Sequence, residues 1–242
     1  MPICLTGAGS PGNFVPVAPS GANYAYLCYP TYWASDASHL VQCNAGDAIQ
    51  WWKDAVTGTW YQQATSGSRL IARFNSSSGR WYAEGTGSQQ HPWVDLSSYS
   101  AANVTFAASY QLYSGINYAT LISSQSIRNI GFQSGAQNTY PRATFSSGAS
   151  VNSPNGNTIG VDYRLIATFG NPNTSLYQNG TLAATSSADT TTGNLAVNTS
   201  VMGLYSTSVY CINGRFYGGA IFLSNSVNVS SLDATLHGYC TS

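Results

Sequence analysis

Short apolar runs separated by small polar residues make up most of the chain. Residues 163–169 and 103–110 are rich in β-branched and aromatic side chains, and the second run alternates apolar and polar in its first half. Asn179 and Gly180 lie between two further short runs, 175–178 and 181–184, and this pair favours a two-residue hairpin turn. A helical pattern is found at residues 230–239, with Ser230 as the predicted cap and an acid three residues later. The pattern therefore predicts an all-β protein with a short C-terminal helix.

The length and composition fit one folded domain. A chain of 242 residues is commonly a single domain in all-β proteins, and 43% hydrophobic residues are enough to build a core. Residues 1–22 are rich in Gly, Pro and Ser and predict an irregular N-terminal arm. Residues 23–242 are predicted to form the domain.

Charged side chains are scarce, at 7% of the residues, and 8 basic residues balance 8 acidic ones. Such a surface lacks the basic patch that nucleic acid requires, so we expect no nucleic-acid partner. A near-neutral surface also resists self-association poorly, which suits a protein inside an assembly. No apolar run approaches the ~20 residues that span a bilayer, so we expect no membrane insertion.

The N-terminus lacks the basic start and apolar core of a signal peptide. Two explanations stay open: removal of a leader, or release of the protein by lysis of its host cell. The second explanation points to a virus or phage.

Several short motifs, in order, carry a resemblance to a known family. They are Trp33 with Asp36, Ala37 and Ser38, then Trp52 with Asp54, then Gln63, Ala64 and Thr65, then Arg73, Phe74 and Asn75, and finally the Asn179 and Gly180 hairpin. Their order and spacing resemble concanavalin A-like, laminin-G-like domains. The resemblance implies an antiparallel β-sandwich jelly roll over roughly residues 30–240. It also implies that Asp36 and Asp54 hydrogen-bond to loop backbone.

The five cysteines are an odd number and match no zinc spacing. Buried free thiols are one interpretation. Because jelly rolls bring their two ends together, the other is a bridge from Cys4 or Cys28 to Cys211 or Cys240.

Residues for catalysis are few. Glycoside hydrolysis usually needs two carboxylates across the scissile bond, and Glu84 is the chain's one glutamate, with no second acid two residues away on the same strand. No nucleophile elbow, P-loop or dinucleotide motif is present. We therefore expect that the protein is not an enzyme and has no cofactor, with a calcium ion as the one exception considered.

Calcium enters through the resemblance, because laminin-G-like domains often hold one Ca²⁺ ion with an aspartate and neutral oxygens. Asp162 and Asp95 are the candidate metal ligands in this chain. Turn capping by a short acid is the alternative explanation for both.

Aromatic residues in loop-like segments are the candidates for ligand binding, because sugars stack on flat rings and assembly interfaces also use them. They are Trp81, Tyr82, His91, Trp93, Tyr113 and Tyr140.

The observations favour a non-enzymatic structural protein of a virus or phage surface, as capsid decoration or part of a fibre. Its partners would be other virion proteins or copies of itself, with glycans of a host surface as further ligands. The alternative is a free carbohydrate-binding lectin or secreted adhesion module.

Overall fold

The computed structural model describes residues 14–115, 119–125, 127–132, 139–145, 149–203 and 211–240. Its strands, in chain order, are β1 Tyr24–Leu27, β2 Trp33–Ala34, β3 Trp51–Lys53, β4 Trp60–Gln62, β5 Ile71–Asn75, β6 Arg80–Thr86, β7 His91–Pro92, β8 Asn103–Leu112, β9 Thr120–Ser124, β10 Arg128–Phe132, β11 Pro141–Phe145, β12 Ser150–Asn152, β13 Asp162–Gly170, β14 Thr174–Gln178, β15 Thr181–Ser186, β16 Thr199–Val201 and β17 Asn213–Phe222. Helix α1 spans Val229–Tyr239, and single-turn 3-10 helices lie at Pro30–Tyr32 and Ser66–Ser68.

The strands form three antiparallel sheets. The large sheet has the order β15-β14-β13-β8-β17-β6-β5, with β1 also paired to β17. The small sheet has the order β12-β11-β10-β9-β16-β7, and a third sheet consists of β2-β3-β4. This antiparallel β-sandwich jelly roll with a C-terminal helix confirms the fold class that the sequence predicted.

The large sheet is covered on both faces. On β8, Tyr110 faces the small sheet, where its ring centroid lies 5.3 Å from that of Phe132. The neighbouring Ala107 faces the other way and belongs to a buried cluster with Leu232 and Leu236 of α1. Helix α1 therefore closes the outer face of this sheet. Among the described residues, no helix is long and apolar enough to cross a membrane.

Two local predictions can be compared with the structure. Asn179 and Gly180 have φ angles of 51° and 75° and connect β14 to β15, as the hairpin motif predicted. The helix cap differs from the prediction, because the side chain of Asn228 accepts a hydrogen bond from the backbone N–H of Ser231. Helix α1 therefore begins one residue before Ser230, the predicted cap.

An aromatic stack joins the third sheet to the core. Tyr26 lies between Trp52 and Trp93, with ring-centroid distances of 4.7 Å and 4.2 Å. The buried carboxylate of Asp54 accepts hydrogen bonds from the indole of Trp93 and from the backbone N–H of Ala25, both at 3.0 Å. This matches the structural role expected for Asp54.

The described part of the predicted arm, residues 14–22, contacts the domain. The hydroxyl of Tyr239 donates to the carbonyl of Val17 at 2.5 Å, and the guanidinium of Arg80 lies 4.1 Å from the ring centroid of Phe14. The earlier residues of the arm lie outside the described ranges. The boundary after residue 22 stays a prediction.

The cysteines Cys28 and Cys240 are free, buried thiols. The Sγ of Cys28 lies 3.0 Å from the carbonyl oxygen of Phe216, and the Sγ of Cys240 lies 2.8 Å from the Oγ of Ser109. The bridges expected from Cys28, and the bridge expected between Cys4 and Cys240, are therefore wrong. Cys4 lies outside the described residues.

Candidate functional site

Four polar side chains lie side by side across the outer face of the large sheet. Asp162 is paired with Gln111, Gln111 with Arg215, and Arg215 with Glu84. Residues opposite each other on antiparallel neighbours point to the same face. These four residues, named here the polar row, thus cross β13, β8, β17 and β6.

The Glu84 end of the polar row is held by charged and phenolic groups. Glu84 accepts hydrogen bonds from the Nε of Arg73 at 2.7 Å and from the hydroxyl of Tyr113 at 2.8 Å. The Nε of Arg215 donates to the Tyr113 oxygen at 2.9 Å, and its guanidinium lies 4.7 Å from the ring centroid of Tyr82. Two of the predicted binding residues, Tyr82 and Tyr113, therefore meet at Arg215.

Protonation states at this end follow from the same contacts. Burial and the neighbouring Glu84 raise the pKa of Tyr113 to about 12, although Arg215 opposes this effect. Burial by itself would lower the pKa of Arg215, but hydrogen bonds with Tyr113 and Tyr217 outweigh burial and raise it. At neutral pH Tyr113 is thus a neutral donor and Arg215 a cation.

The Asp162 end shows how the predicted calcium ligand is used. Its Oδ1 accepts hydrogen bonds from the hydroxyl of Tyr217 at 2.7 Å and from the Nε2 of Gln111 at 2.8 Å. The same Nε2 donates to the carbonyl of Gly160 at 2.8 Å. The amide of Gln111 therefore lies between these two oxygens in this structure, and the role of Asp162 as a calcium ligand stays a prediction.

The other candidate ligand, Asp95, is exposed and accepts a hydrogen bond from the backbone N–H of Ser97 at 2.8 Å. That bond lowers the pKa of the Asp95 carboxyl. Among the described residues, no group of three or more His, Cys, Asp or Glu could hold a metal ion. Calcium binding by the chain stays a prediction.

The remaining predicted aromatic residues are dispersed. His91 and Trp93 are buried beside Tyr26, and Trp81 packs 5.1 Å from Phe74, centroid to centroid. His91 lies on the short strand β7, and Trp81 and Tyr82 lie on β6. A fully buried ring has no face for a sugar, so His91 acts as a core residue.

A cleft that the sequence did not predict opens beside the β14–β15 hairpin. Its volume is about 360 Å³. It is lined by Asn155, Gly156, Tyr163, Gln178, Asn179, Thr181, Leu182 and Ala183. All of these side chains are neutral, and the set combines amides and hydroxyls with an aromatic ring and a leucine.

The polar groups of the cleft are held in place. Gln178 accepts a hydrogen bond from Ser153 at 2.9 Å and donates one to Asn157 at 2.7 Å. The ring of Tyr163 stacks on Tyr110 at a centroid distance of 6.3 Å and an interplanar angle of 26°. The cleft therefore has preorganised walls.

Predicted Tyr140 contacts this cleft from behind. A Cβ on Gly156 would lie 3.0 Å from the Cε2 of Tyr140, so the ring packs against the backbone that lines the cleft. Leu182, which also lines the cleft, is 52% exposed. The turn residues of the hairpin and Tyr140 were the sequence signals near this site.

Comparison with known proteins gives the fold but no family. No family model matches the sequence, and no curated protein matches it. Domain 4 of AbnA, a GH43 extracellular arabinanase from Geobacillus stearothermophilus in complex with arabinotriose, superposes with a TM-score of 0.57 at 10% identity. The match covers 76% of this chain and 91% of that domain.

A second similar structure is Trypanosoma rangeli sialidase in complex with sialic acid, with a TM-score of 0.59 at 10% identity. The match covers 91% of this chain but 35% of the sialidase, so the chain spans about a third of that protein's length. At such identity the likeness concerns the fold.

These matches correct one prediction. The sequence analysis expected no enzyme, whereas the similar structures are parts of a glycoside hydrolase and of sialidases. The scarcity of paired carboxylates does not separate this fold from enzymes, because the fold itself occurs within them.

Proposed function

We propose that this protein binds neutral oligosaccharides in the cleft beside the β14–β15 hairpin. Sugars present hydroxyl groups around an apolar ring, and neutral amides with one aromatic or aliphatic contact match that chemistry. The cleft offers the amides of Gln178 and Asn155 together with Tyr163 and Leu182. The observation that carries the proposal is this uncharged, preorganised lining.

The fold supports the proposal. The GH43 arabinanase domain that shares the fold is described in complex with arabinotriose. A jelly roll of the laminin-G-like kind, as the motifs suggest, would also fit a glycan-binding role.

A glycan array of neutral oligosaccharides that includes arabinotriose, followed by calorimetry on the best ligand, tests the proposal. Leu182→Arg places a long charged side chain at the mouth and should weaken binding at least tenfold. Val197→Arg is the matched control, because Val197 is 57% exposed and does not line the cleft. Equal binding by both variants, or no neutral ligand on the array, would exclude the cleft.

We also propose that the protein is displayed on a virus or phage particle, as a decoration or fibre component. The low, balanced charge supports this proposal. Sedimentation of native source material, with the chain followed by mass spectrometry, should show stoichiometric co-migration with large particles. Migration as a small species would instead indicate a free lectin or adhesion module.

A further inference from the structure

A compact group of aromatic and basic side chains lies on the outer side of the third sheet. In the pairing of β3 with β4, Trp51 lies opposite Gln62 and Lys53 lies opposite Trp60. The four side chains therefore point to one side, away from the core that the alternate residues enter. Together with His39, which covers them, we name them the aromatic face.

His39 connects the two tryptophans of the aromatic face. Its ring stacks on Trp60 at a centroid distance of 4.5 Å and an interplanar angle of 15°. The edge contact with Trp51 has a centroid distance of 4.6 Å and an angle of 71°. His39 adopts a φ of 59°, a conformation that few non-glycine residues hold without a compensating reason.

The aromatic face contains nitrogen atoms without partners. Within the described part of the chain, the Nε2 of His39 and the Nε1 of Trp51 are shielded from solvent and form no hydrogen bond. An indole N–H can only donate, and an imidazole nitrogen donates when it carries a proton. Shielded groups of this kind are stabilised when an acceptor reaches them.

A cation without a counter-ion lies beside these atoms. Lys53 is the chain's one lysine, and its Nζ lies 5.8 Å from the ring centroid of Trp60. None of the ion pairs among the described residues includes it. The adjacent Asp54 is turned inward, where its carboxylate accepts from Ala25 and Trp93. The nearby Asp36 likewise accepts from its own loop, at the backbone N–H of Val41.

We propose that the aromatic face binds saccharides that carry a carboxylate group. On binding, the His39 side chain would turn aside from the rings that it covers, so that the tryptophans stack on the sugar while Lys53, Trp51 and His39 supply a cation and N–H donors to the carboxylate. A neutral sugar would use the rings alone. This site is separate from the cleft, and the proposal does not depend on neutral oligosaccharides binding there.

The test compares a trimer of galacturonate with the matching neutral trimer of galactose, by calorimetry and tryptophan fluorescence on the full chain. The galacturonate trimer should bind at least tenfold more tightly, and higher salt should reduce the difference. Monomeric galacturonate should bind more weakly than the trimer, because one sugar ring makes fewer stacking contacts with the two tryptophans than three rings do. Equal binding of the acidic and neutral trimers would overturn the proposal, as would equal binding of monomer and trimer.

Three variants locate the site. Lys53→Gln should remove most of the preference for the acidic trimer, and it leaves the core unchanged because the side chain points outward. Arg73→Gln removes a positive charge that is paired with Glu84 of the polar row, and it should keep the preference. Leu182→Arg should also keep it. If Lys53→Gln and Arg73→Gln act alike, or if Leu182→Arg abolishes acidic binding, the aromatic face is not the site.

Discussion

The Nη1 of Arg128 lies 2.5 Å from the Oδ2 of Asp189, and neither side chain is exposed to solvent. Arg128 belongs to β10 of the small sheet, while the same Asp189 oxygen accepts from the hydroxyl of Thr174 on β14 of the large sheet, at 2.6 Å. The ion pair therefore connects the two layers of the sandwich.

Asp189→Asn should lower the free energy of unfolding by about 3–5 kcal/mol, because it leaves a buried guanidinium without its counter-ion. Chemical denaturation would measure the change. Arg73→Gln is the control, since Arg73 is 42% exposed in its pair with Glu84, and it should cost at most about 1 kcal/mol. If both variants lost the same free energy of unfolding, burial would not be the reason that the Arg128–Asp189 pair matters.

The stability should depend on pH through His91. Burial lowers the pKa of His91 to about 4, from an ordinary value of 6.5. Between these values the unfolded chain binds a proton that the folded chain does not, so stability falls as pH decreases from 6.5 to 4, by up to about 3 kcal/mol.

Denaturation measured across this range should show that the free energy of unfolding depends less on pH in His91→Asn. The asparagine amide can still donate to the carbonyl of Pro92, as the ring Nδ1 is placed to do at 2.7 Å. Asp189 acts at lower pH. Burial alone would raise its pKa, but hydrogen bonds from Thr174, Thr191 and Arg128 outweigh burial and lower it, so its contribution is lost only in stronger acid. An unchanged slope in His91→Asn would assign the effect to other groups.

Gly180→Ala should destabilise the β14–β15 hairpin. Gly180 has a φ of 75°, and a Cβ there would lie 2.9 Å from the Oδ2 of Asp233. We expect a loss of about 1–2 kcal/mol from the left-handed conformation alone. Gly67→Ala provides the comparison, because no atom lies within 4 Å of its added Cβ, and its melting temperature should be nearly unchanged.

Asp54→Asn should disrupt the aromatic stack, although the two side chains have nearly the same volume. An amide would direct an NH₂ group at donors that the carboxylate now satisfies, which costs about 1–3 kcal/mol for each unsatisfied donor. Near-ultraviolet circular dichroism of Trp93 and a denaturation curve would report the loss. Asp36→Asn, on an exposed loop, should have a much smaller effect.

Local sequence signals predicted the parts of the structure that local chemistry determines. The turn at Asn179 and Gly180 is one of these, because its φ angles depend on those two residues. The polar row is not, since it depends on the register between strands that lie far apart in the sequence. Asp162 and Glu84 lie in one row only because β8 and β17 pair between their strands.

The binding residues were harder to predict for the same reason. His91 lies on β7, a strand of two residues, which is too short for an alternating pattern to reveal burial. The cleft draws Tyr163 and Gln178 from two strands and Asn155 from a loop, and no spacing in the sequence brings these together. The aromatic face was missed because Trp60 and His39 meet only when β3 and β4 pair.

The pairing of β1 with β17 has a consequence for synthesis of the protein. Tyr24 pairs with Ile221, so β1 lacks its partner strand until almost the whole chain has been translated. At ribosomal speeds of about 5–20 residues per second, β1 waits roughly 10–40 s after it is made. During that time its apolar side chains lack their native partners, so nascent chains should engage chaperones and should aggregate when translation is stalled before β17.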